Sequence, residues 1–379
     1  MKKIWRKKIR KIKKNSQKIF KKIKCEKMRK IVFAAGGTGG HIFPALAIAA
    51  EIRKKNPAAK IEFFCARQKL DAAILRDAGE KFAPIFCGKL RRYFSWQNFV
   101  DPFFLILGIF QCFFKFIFSR PALIFSKGGF AAVPPVFAAA LLRIPIISHE
   151  SDAAPGLANK ICGRFSQKIF TAFPGNFGEF SGLPVSEKIF SAKKSDGEKI
   201  LNFKNPAKKI IFIFGGSQGA DFLNNIFFSL AEKFSEIANF VLISGDKKNL
   251  QPKNESQKIF DFLPHEKFFA VLHAADIVIS RAGSSIFELA VTKKCAILVP
   301  HPHGSGHQQK NAEIFAAAGA AKIFSQQNFE LKNLENFVKN LLENKNLREN
   351  FSEKIAQFAP KNAAKFLAEK ILEIGNLEK

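Results

Sequence analysis

Two glycine-rich turns with the same local grammar stand 179 residues apart, GGTGGH at Gly36–His41 and GGSQGA at Gly215–Ala220. Each follows an apolar run and leads into a stretch with helical periodicity. Glycine tolerates positive φ and lets backbone N–H groups approach a ligand, and a helix N-terminus favours an anion, so such turns suit a diphosphate. The first is not a dinucleotide fingerprint, because counting G-x-G-x-x-G from Gly37 places Ile42 where the third glycine belongs. No Lys-Ser/Thr pair follows, which excludes a Walker loop. Ser217 offers a hydroxyl to a phosphate in the second turn. In SRAGSSIFE (Ser280–Glu288), Gly283 precedes Ser284 and Ser285 in the first turn of an expected helix, and Glu288 stands where a carboxylate can clasp a ribose diol. In HPHGSGHQQKNA, His301, His303 and His307 invite a metal, but no carboxylate accompanies them in the loop, so no metal is expected. Gln308 and Gln309 suit sugar hydroxyls, since an amide both donates and accepts. His149, Glu150 and Asp152 form an ionisable cluster at the end of another apolar run, where capping or domain packing stays open beside chemistry.

These residues need strands to carry them. Ile31–Ala35, Ile61–Ala66, Ala122–Ser126, Pro145–Ser148 and Lys168–Phe173 read as strands, with helical segments such as Pro44–Lys55 and Val133–Leu142 between them. The rhythm restarts with Lys209–Phe214, Phe240–Ser244, Asp276–Ser280 and Ala296–Pro300. Continuously apolar strands alternating with helices indicate parallel sheets covered on both faces. The expectation is an α/β protein with two Rossmann-like domains facing a cleft, residues 28–185 and 186–355. Leu183–Lys208 is expected to be the linker, and 356–379 a helix crossing back to the first domain.

A chain of 379 residues, 47% hydrophobic, is too apolar for disorder and long enough for two cores. Its six cysteines are scattered without a C-x-x-C pair, against a disulfide framework or a cysteine-based zinc site. The net charge of +30 divides in two: residues 1–30 hold 16 Lys or Arg against the single acid Glu26, and the rest is dispersed. With 45 Phe against one Tyr, part of the basicity looks compositional. Residues 1–27 admit three readings: a basic membrane-surface helix, a solvated tail, or a stretch upstream of a true start at Met28. Phe103–Phe118 is very apolar, but its 16 residues fall short of the roughly 20 of a spanning helix. A core or membrane-surface helix is expected, with Lys89, Arg91 and Arg92 on anionic headgroups and Phe103 and Phe104 inserted. No nucleic-acid-binding motif appears, and the dispersed charge argues against such a partner. A dehydrogenase is disfavoured by the missing third glycine and by the second glycine turn.

The ordered set GGTGGH, SKGGF-x-x-x-P, HES-x-x-x-PGL-x-NK, GGSQGA, SRAG and HQQ-x-NA resembles the MurG family of peptidoglycan N-acetylglucosaminyltransferases, from about Met28 to the C-terminal helix. The resemblance implies the GT-B arrangement and inverting, cofactor-free and metal-independent transfer of GlcNAc. The donor would be UDP-GlcNAc and the acceptor lipid I, undecaprenyl-diphospho-MurNAc-pentapeptide, at the cytoplasmic face of the cell membrane. It implies that Thr38, Gly39 and Gly40 form the first glycine loop and that Ser217, Ser284 and Ser285 serve the nucleotide sugar. Leu263 would contact uracil through its backbone, Glu288 the ribose, and Gln308 and Gln309 the sugar. His41, with an intrinsic pKa suited to proton transfer, and Asp152 are the candidates for the general base; His41 as a mere positioner of the acceptor diphosphate stays open. Three departures stand out: Asp152 replaces a frequent Asn, Ser186 replaces an Arg, and Arg281–Glu288 is one residue short. Another GT-B enzyme, such as a lipid glycosyltransferase or a UDP-GlcNAc 2-epimerase, is the alternative.

Overall fold

The computed structural model describes residues 30–88, 97–216, 219–245, 250–302 and 306–377. The tail 1–27, Lys89, Arg91, Arg92, Ser217 and His303 lie outside them. The first sheet contains β1 (Ile31–Ala35), β2 (Ile61–Ala66), β3 (Phe82–Ile85), β4 (Leu123–Gly128), β5 (Ile146–Glu150), β6 (Lys168–Thr171) and β7 (Glu179–Phe180), in the order β3-β2-β1-β4-β5-β6-β7. The second contains β8 (Lys209–Phe214), β9 (Ala238–Ile243), β10 (Gln257–Phe260), β11 (Ile277–Ser280), β12 (Cys295–Leu298) and β13 (Ala321–Ile323), in the order β10-β9-β8-β11-β12-β13. Every pairing is parallel. The strand order reverses at β1/β4 and at β8/β11, and at such switch points the loops leaving the strand ends part to form a crevice. Both glycine turns leave strands at these points.

β1, β5, β9, β11 and β12 are buried along their whole length, as strands covered by helices on both faces must be. Phenylalanine fills much of that space: Phe33 stacks on Phe63 at 5.2 Å and tilts against Phe125 at 5.3 Å. The C-terminal helix Ala363–Ile374 packs on the helix Gly39–Lys55, placing Leu367, Ala368 and Ile371 in the first core beside Ile31 and Phe33. The chain therefore crosses between the cores twice, and the crossings are adjacent, since a Cβ on Gly182 would lie 3.2 Å from Pro360.

Two expectations need correction. The stretch 183–208 is not a bare linker, because it forms the helices Lys188–Ser191 and Lys194–Leu201, the latter crossing the helix His265–Ala274 closely. Gly197 sits at that crossing, where any side chain would strike the Ala270 carbonyl. The apolar helix starts earlier than Phe103, at Gln97, and runs to Phe118. Its Cys112 and Phe116 are buried against the first sheet and Gly108 lies hard against the Phe86 carbonyl. Among the described residues its segment Phe99–Phe118 is the one helix long and apolar enough to cross a membrane.

Candidate active site

A cavity of about 460 Å³ opens between the two sheets, within the ~300–1,000 Å³ range of small-molecule sites. The first domain contributes Thr38–His41, Phe43, Ser151 and Asp152, and the connection contributes Leu183–Ser186. From the second domain come Gly215, Gly216, Gly219, Asp261–Leu263, His265, Arg281, Gly283–Ser285, Glu288, His307 and Gln308. The two phosphate-type loops face one another, because a Cβ on Gly40 would lie 3.0 Å from Ser284 Oγ.

The first glycine loop is held from behind. Asp71 is fully buried and accepts the Gly37 N–H at 2.8 Å and the Ala66 N–H at 3.1 Å through one oxygen. Gly37 has φ +91, and a Cβ on Gly36 would sit 2.5 Å from that carboxylate, so the turn requires glycine at both positions. Burial raises the Asp71 pKa, opposed by the two N–H bonds. Asp71 lies 34 residues downstream, and the sequence reading passed over it.

His41 follows in the first turn of the helix Gly39–Lys55. The SKGGF segment makes room for it: Gly129, at φ +75, has no side chain where a Cβ would lie 3.1 Å from His41 Nε2. Burial is the main cause that lowers the His41 pKa to about 4, with the Lys127 cation next; Glu150 and a hydrogen bond to the Lys127 main chain oppose it. The imidazole is therefore neutral at neutral pH, and its Nδ1 is buried with no hydrogen-bond partner. It can accept a proton, but as a weaker base than its ordinary pKa suggests.

Glu150 has structural work. Its Oε1 accepts the Asp152 N–H at 2.9 Å, and its Oε2 accepts the Gly156 N–H at 3.0 Å and Asn159 Nδ2 at 2.7 Å. It thereby shapes the turn that presents Ser151 and Asp152 to the cleft. His149 Nε2 lies 3.0 Å from the Gly182 carbonyl, beside the crossing between domains. Asp152 reaches across: Asn311, buried on the helix His307–Ala317, donates Nδ2 to Asp152 Oδ1 at 2.8 Å and to the Ala282 carbonyl at 3.0 Å. Asn311 Oδ1 also accepts the Ala153 N–H at 2.8 Å. Burial and then the neighbouring Glu150 raise the Asp152 pKa, against the Asn311 hydrogen bond and the charges of His307 and Lys127.

On the opposite wall, Glu288 Oε1 lies 3.4 Å from His265 Nε2, and the His265 ring stacks on Phe43 of the first domain with centroids 4.1 Å apart. Gln308 Oε1 accepts the His301 N–H at 3.0 Å, which leaves its NH₂ group as the end available to a ligand. Gln309 is not among the residues lining the cavity, and its Nε2 donates to Glu313 Oε1, one turn along the same helix, at 3.0 Å. Thr38, Gly39, Gly40, Leu263, Ser284, Ser285, Glu288 and Gln308 do line the cleft, together with His41 and Asp152. Ser186, at the position of the expected arginine, lines it too. Among the described residues no three His, Cys, Asp or Glu gather as a metal set.

Sequence comparison decides between enzymes sharing this architecture. Residues 31–171 match the glycosyltransferase family 28 N-terminal domain, and 210–367 match the glycosyltransferase family 28 C-terminal domain. The chain belongs to glycosyltransferase family 28. A Clostridium botulinum UDP-N-acetylglucosamine–N-acetylmuramyl-(pentapeptide) pyrophosphoryl-undecaprenol N-acetylglucosamine transferase is 36% identical over 84% of this chain and 93% of its own length. The crystal structure of Acinetobacter baumannii MurG matches with TM-score 0.69 and 26% identity, over 90% of this chain and 99% of that one. A Neisseria meningitidis UDP-GlcNAc 2-epimerase reaches TM-score 0.68 over 91% of this chain and all of its own, but at 15% identity it shares the fold alone. Overall shape thus does not separate the two activities. Sequence likeness does, and it places this family-28 enzyme with the MurG proteins.

Proposed function

We propose that this enzyme transfers N-acetylglucosamine from UDP-GlcNAc to the 4-hydroxyl of the MurNAc unit of undecaprenyl-diphospho-MurNAc-pentapeptide, with inversion. The observation that carries the reading is the opposition of walls across one cavity: glycine loop, His41 and Asp152 on one side, Glu288, Gln308 and the Gly283–Ser285 loop on the other. Uracil lies against the Leu263 backbone, the ribose diol on Glu288, and the diphosphate near Ser284; by sequence, Ser217 is the hydroxyl of the second glycine turn assigned to the same diphosphate. Gln308 donates its NH₂ group to a sugar hydroxyl. In the displacement the acceptor O4 forms a bond to the anomeric carbon as the carbon–phosphate oxygen bond breaks. UDP leaves with the electron pair, and the O4 proton passes to His41 or Asp152. The facing loops supply N–H and O–H donors to the departing charge, the work a metal does in other transferases.

The acceptor's lipid calls for a membrane face, and the helix Gln97–Phe118 supplies one. Phe99, Phe103, Ile106, Phe110, Phe114 and Ile117 recur at helical spacing along its outer side, with Phe103 60% and Phe110 55% exposed. Phe104 is a lesser part of that face, because its ring stacks on Phe86 with centroids 5.9 Å apart. We read this stripe as a peripheral contact with an anionic bilayer on the cytoplasmic side, where the nucleotide sugar is. The direct test is transfer of labelled GlcNAc to a lipid I analogue. Consumption of UDP-GlcNAc without acceptor, giving an epimerised nucleotide sugar, would overturn the reading.

A further inference from the structure

Among the described residues the twelve largest fully buried side chains are eleven phenylalanines and Lys127. A lysine with no exposed surface is an expensive thing to bury without a charge partner. It is the penultimate residue of β4, inside SKGGF, and its ammonium donates to Ser151 Oγ. Ser151 and its neighbour Asp152 line the cleft, whereas Lys127 does not. We propose that Lys127 is a positioning residue for acceptor activation: its buried cation holds Ser151 and keeps Asp152 and His41 in the charge states that accept the acceptor's proton. This rests on the reading of His41 and Asp152 given above.

The geometry supplies one cation for two adjacent carboxylates. Glu150 already accepts three N–H groups. Asp152 receives a single amide, from the opposite domain, and beyond it the charges of His307 and then Lys127 favour its ionised form, Lys127 being the one within its own domain. The pairing is mutual: burial lowers the Lys127 pKa to about 8, and Glu150 and then Asp152 hold its proton on. The titratable groups facing this cluster are His41 from the helix Gly39–Lys55, His149 and Glu150 from β5, Asp152 beyond it, and His307 from the opposing helix. Lys127 disfavours protonation of His41, His149 and Asp152 alike. The bond to Ser151 has a further consequence. An ammonium only donates, so Ser151 Oγ accepts, and the hydroxyl's own hydrogen is free to point elsewhere, including into the cleft.

The test is the pH profile of kcat/KM for the acceptor analogue in the full-length enzyme, comparing wild type with Lys127→Met and Lys127→Gln. Loss of the cation is expected to move the acid limb upward by about one pH unit in both variants. UDP affinity by calorimetry should not change, because the donor wall is untouched. Gln keeps a donor for Ser151 without the charge, so it separates charge from hydrogen bonding and stands in should Met fail to fold. An acid limb that stays in place in either folded variant overturns the proposal. The underlying reading fails differently: His41→Ala and Asp152→Asn would both retain wild-type kcat, whatever the position of the limb in the lysine variants.

Discussion

The neutrality of His41 has a consequence for stability that can be measured without substrate. An unfolded chain protonates this histidine near pH 6.5, but the folded protein resists until about pH 4, because burial and then Lys127 oppose the imidazolium. The folded pKa is depressed, so the stabilisation is present above pH 6.5 and is lost as the pH falls towards 4, where the unfolded state binds the extra proton. Each pH unit inside that window costs about 1.4 kcal/mol. Between pH 7 and 4.5 the integrated loss from this one group is about 2 kcal/mol. His149, also held neutral by burial, loses stability in the same direction, so wild type alone does not isolate the effect. Denaturant unfolding of wild type and His41→Asn at both pH values does. The variant lacks the titrating group and should lose about 2 kcal/mol less over the interval. Parallel stability curves would refute the claim that His41 sits neutral and buried in the fold. Under the proposed role of His41 as base, an anionic diphosphate at the glycine loop is expected to raise its pKa.

Glu288→Ala should weaken UDP binding by about 1–3 kcal/mol in protein of unchanged fold, read by calorimetry; unchanged affinity rejects the ribose assignment. Transfer should survive EDTA, and a strict requirement restored by added metal would overturn the donor-group account of diphosphate binding. Aspartate at Phe103 and Phe110 should abolish binding to anionic vesicles while the melting temperature holds, because both rings face solvent; retained binding sinks the membrane assignment. His41→Ala should lower kcat about 10²-fold with donor affinity kept, and if Asp152→Ala gives that profile while His41→Ala alters only the acceptor KM, the two roles are exchanged.

Much of the sheet structure was legible because its central strands are apolar on both faces. The strands that escaped notice, β3, β7, β10 and β13, are short and lie at or near sheet edges, where one face or end meets solvent and the apolar run breaks up. The helix Lys194–Leu201 was hidden by Gly197. A glycine reads as a breaker in isolation, but here it is what lets one helix cross another's backbone. The glycine loops were legible for the opposite reason, since their backbone leaves no other residue type. Lys127 was not legible: in a chain with 61 Lys and Arg it looks like one more surface cation, and only its zero exposure sets it apart. Gln309 follows Gln308 by about 100° around the helix His307–Ala317, so the two amides point in different directions, which adjacency in sequence does not show.

The residues that join the walls are as informative as those that line them. Asp152 is a surface loop carboxylate on the first domain until Asn311 meets it, and the same amide satisfies the Ala153 N–H. Buried polar groups that find their partners only across the cleft make domain separation costly at that point, by about 1–3 kcal/mol for each group left unmade yet still shielded from water. On the other side, Glu288 touches His265, and His265 stacks under Phe43, two residues from His41 on the same helical turn. A nucleotide whose ribose engages Glu288 therefore acts next to a ring that already grips the acceptor-side helix. Donor site and candidate base are thus connected by direct contacts, Glu288 to His265 to Phe43 on one flank and Asn311 to Asp152 on the other. Of the two candidate bases, Asp152 takes its Asn311 hydrogen bond from the second domain, whereas the charged groups that set the state of His41, Lys127 and Glu150, belong to its own domain.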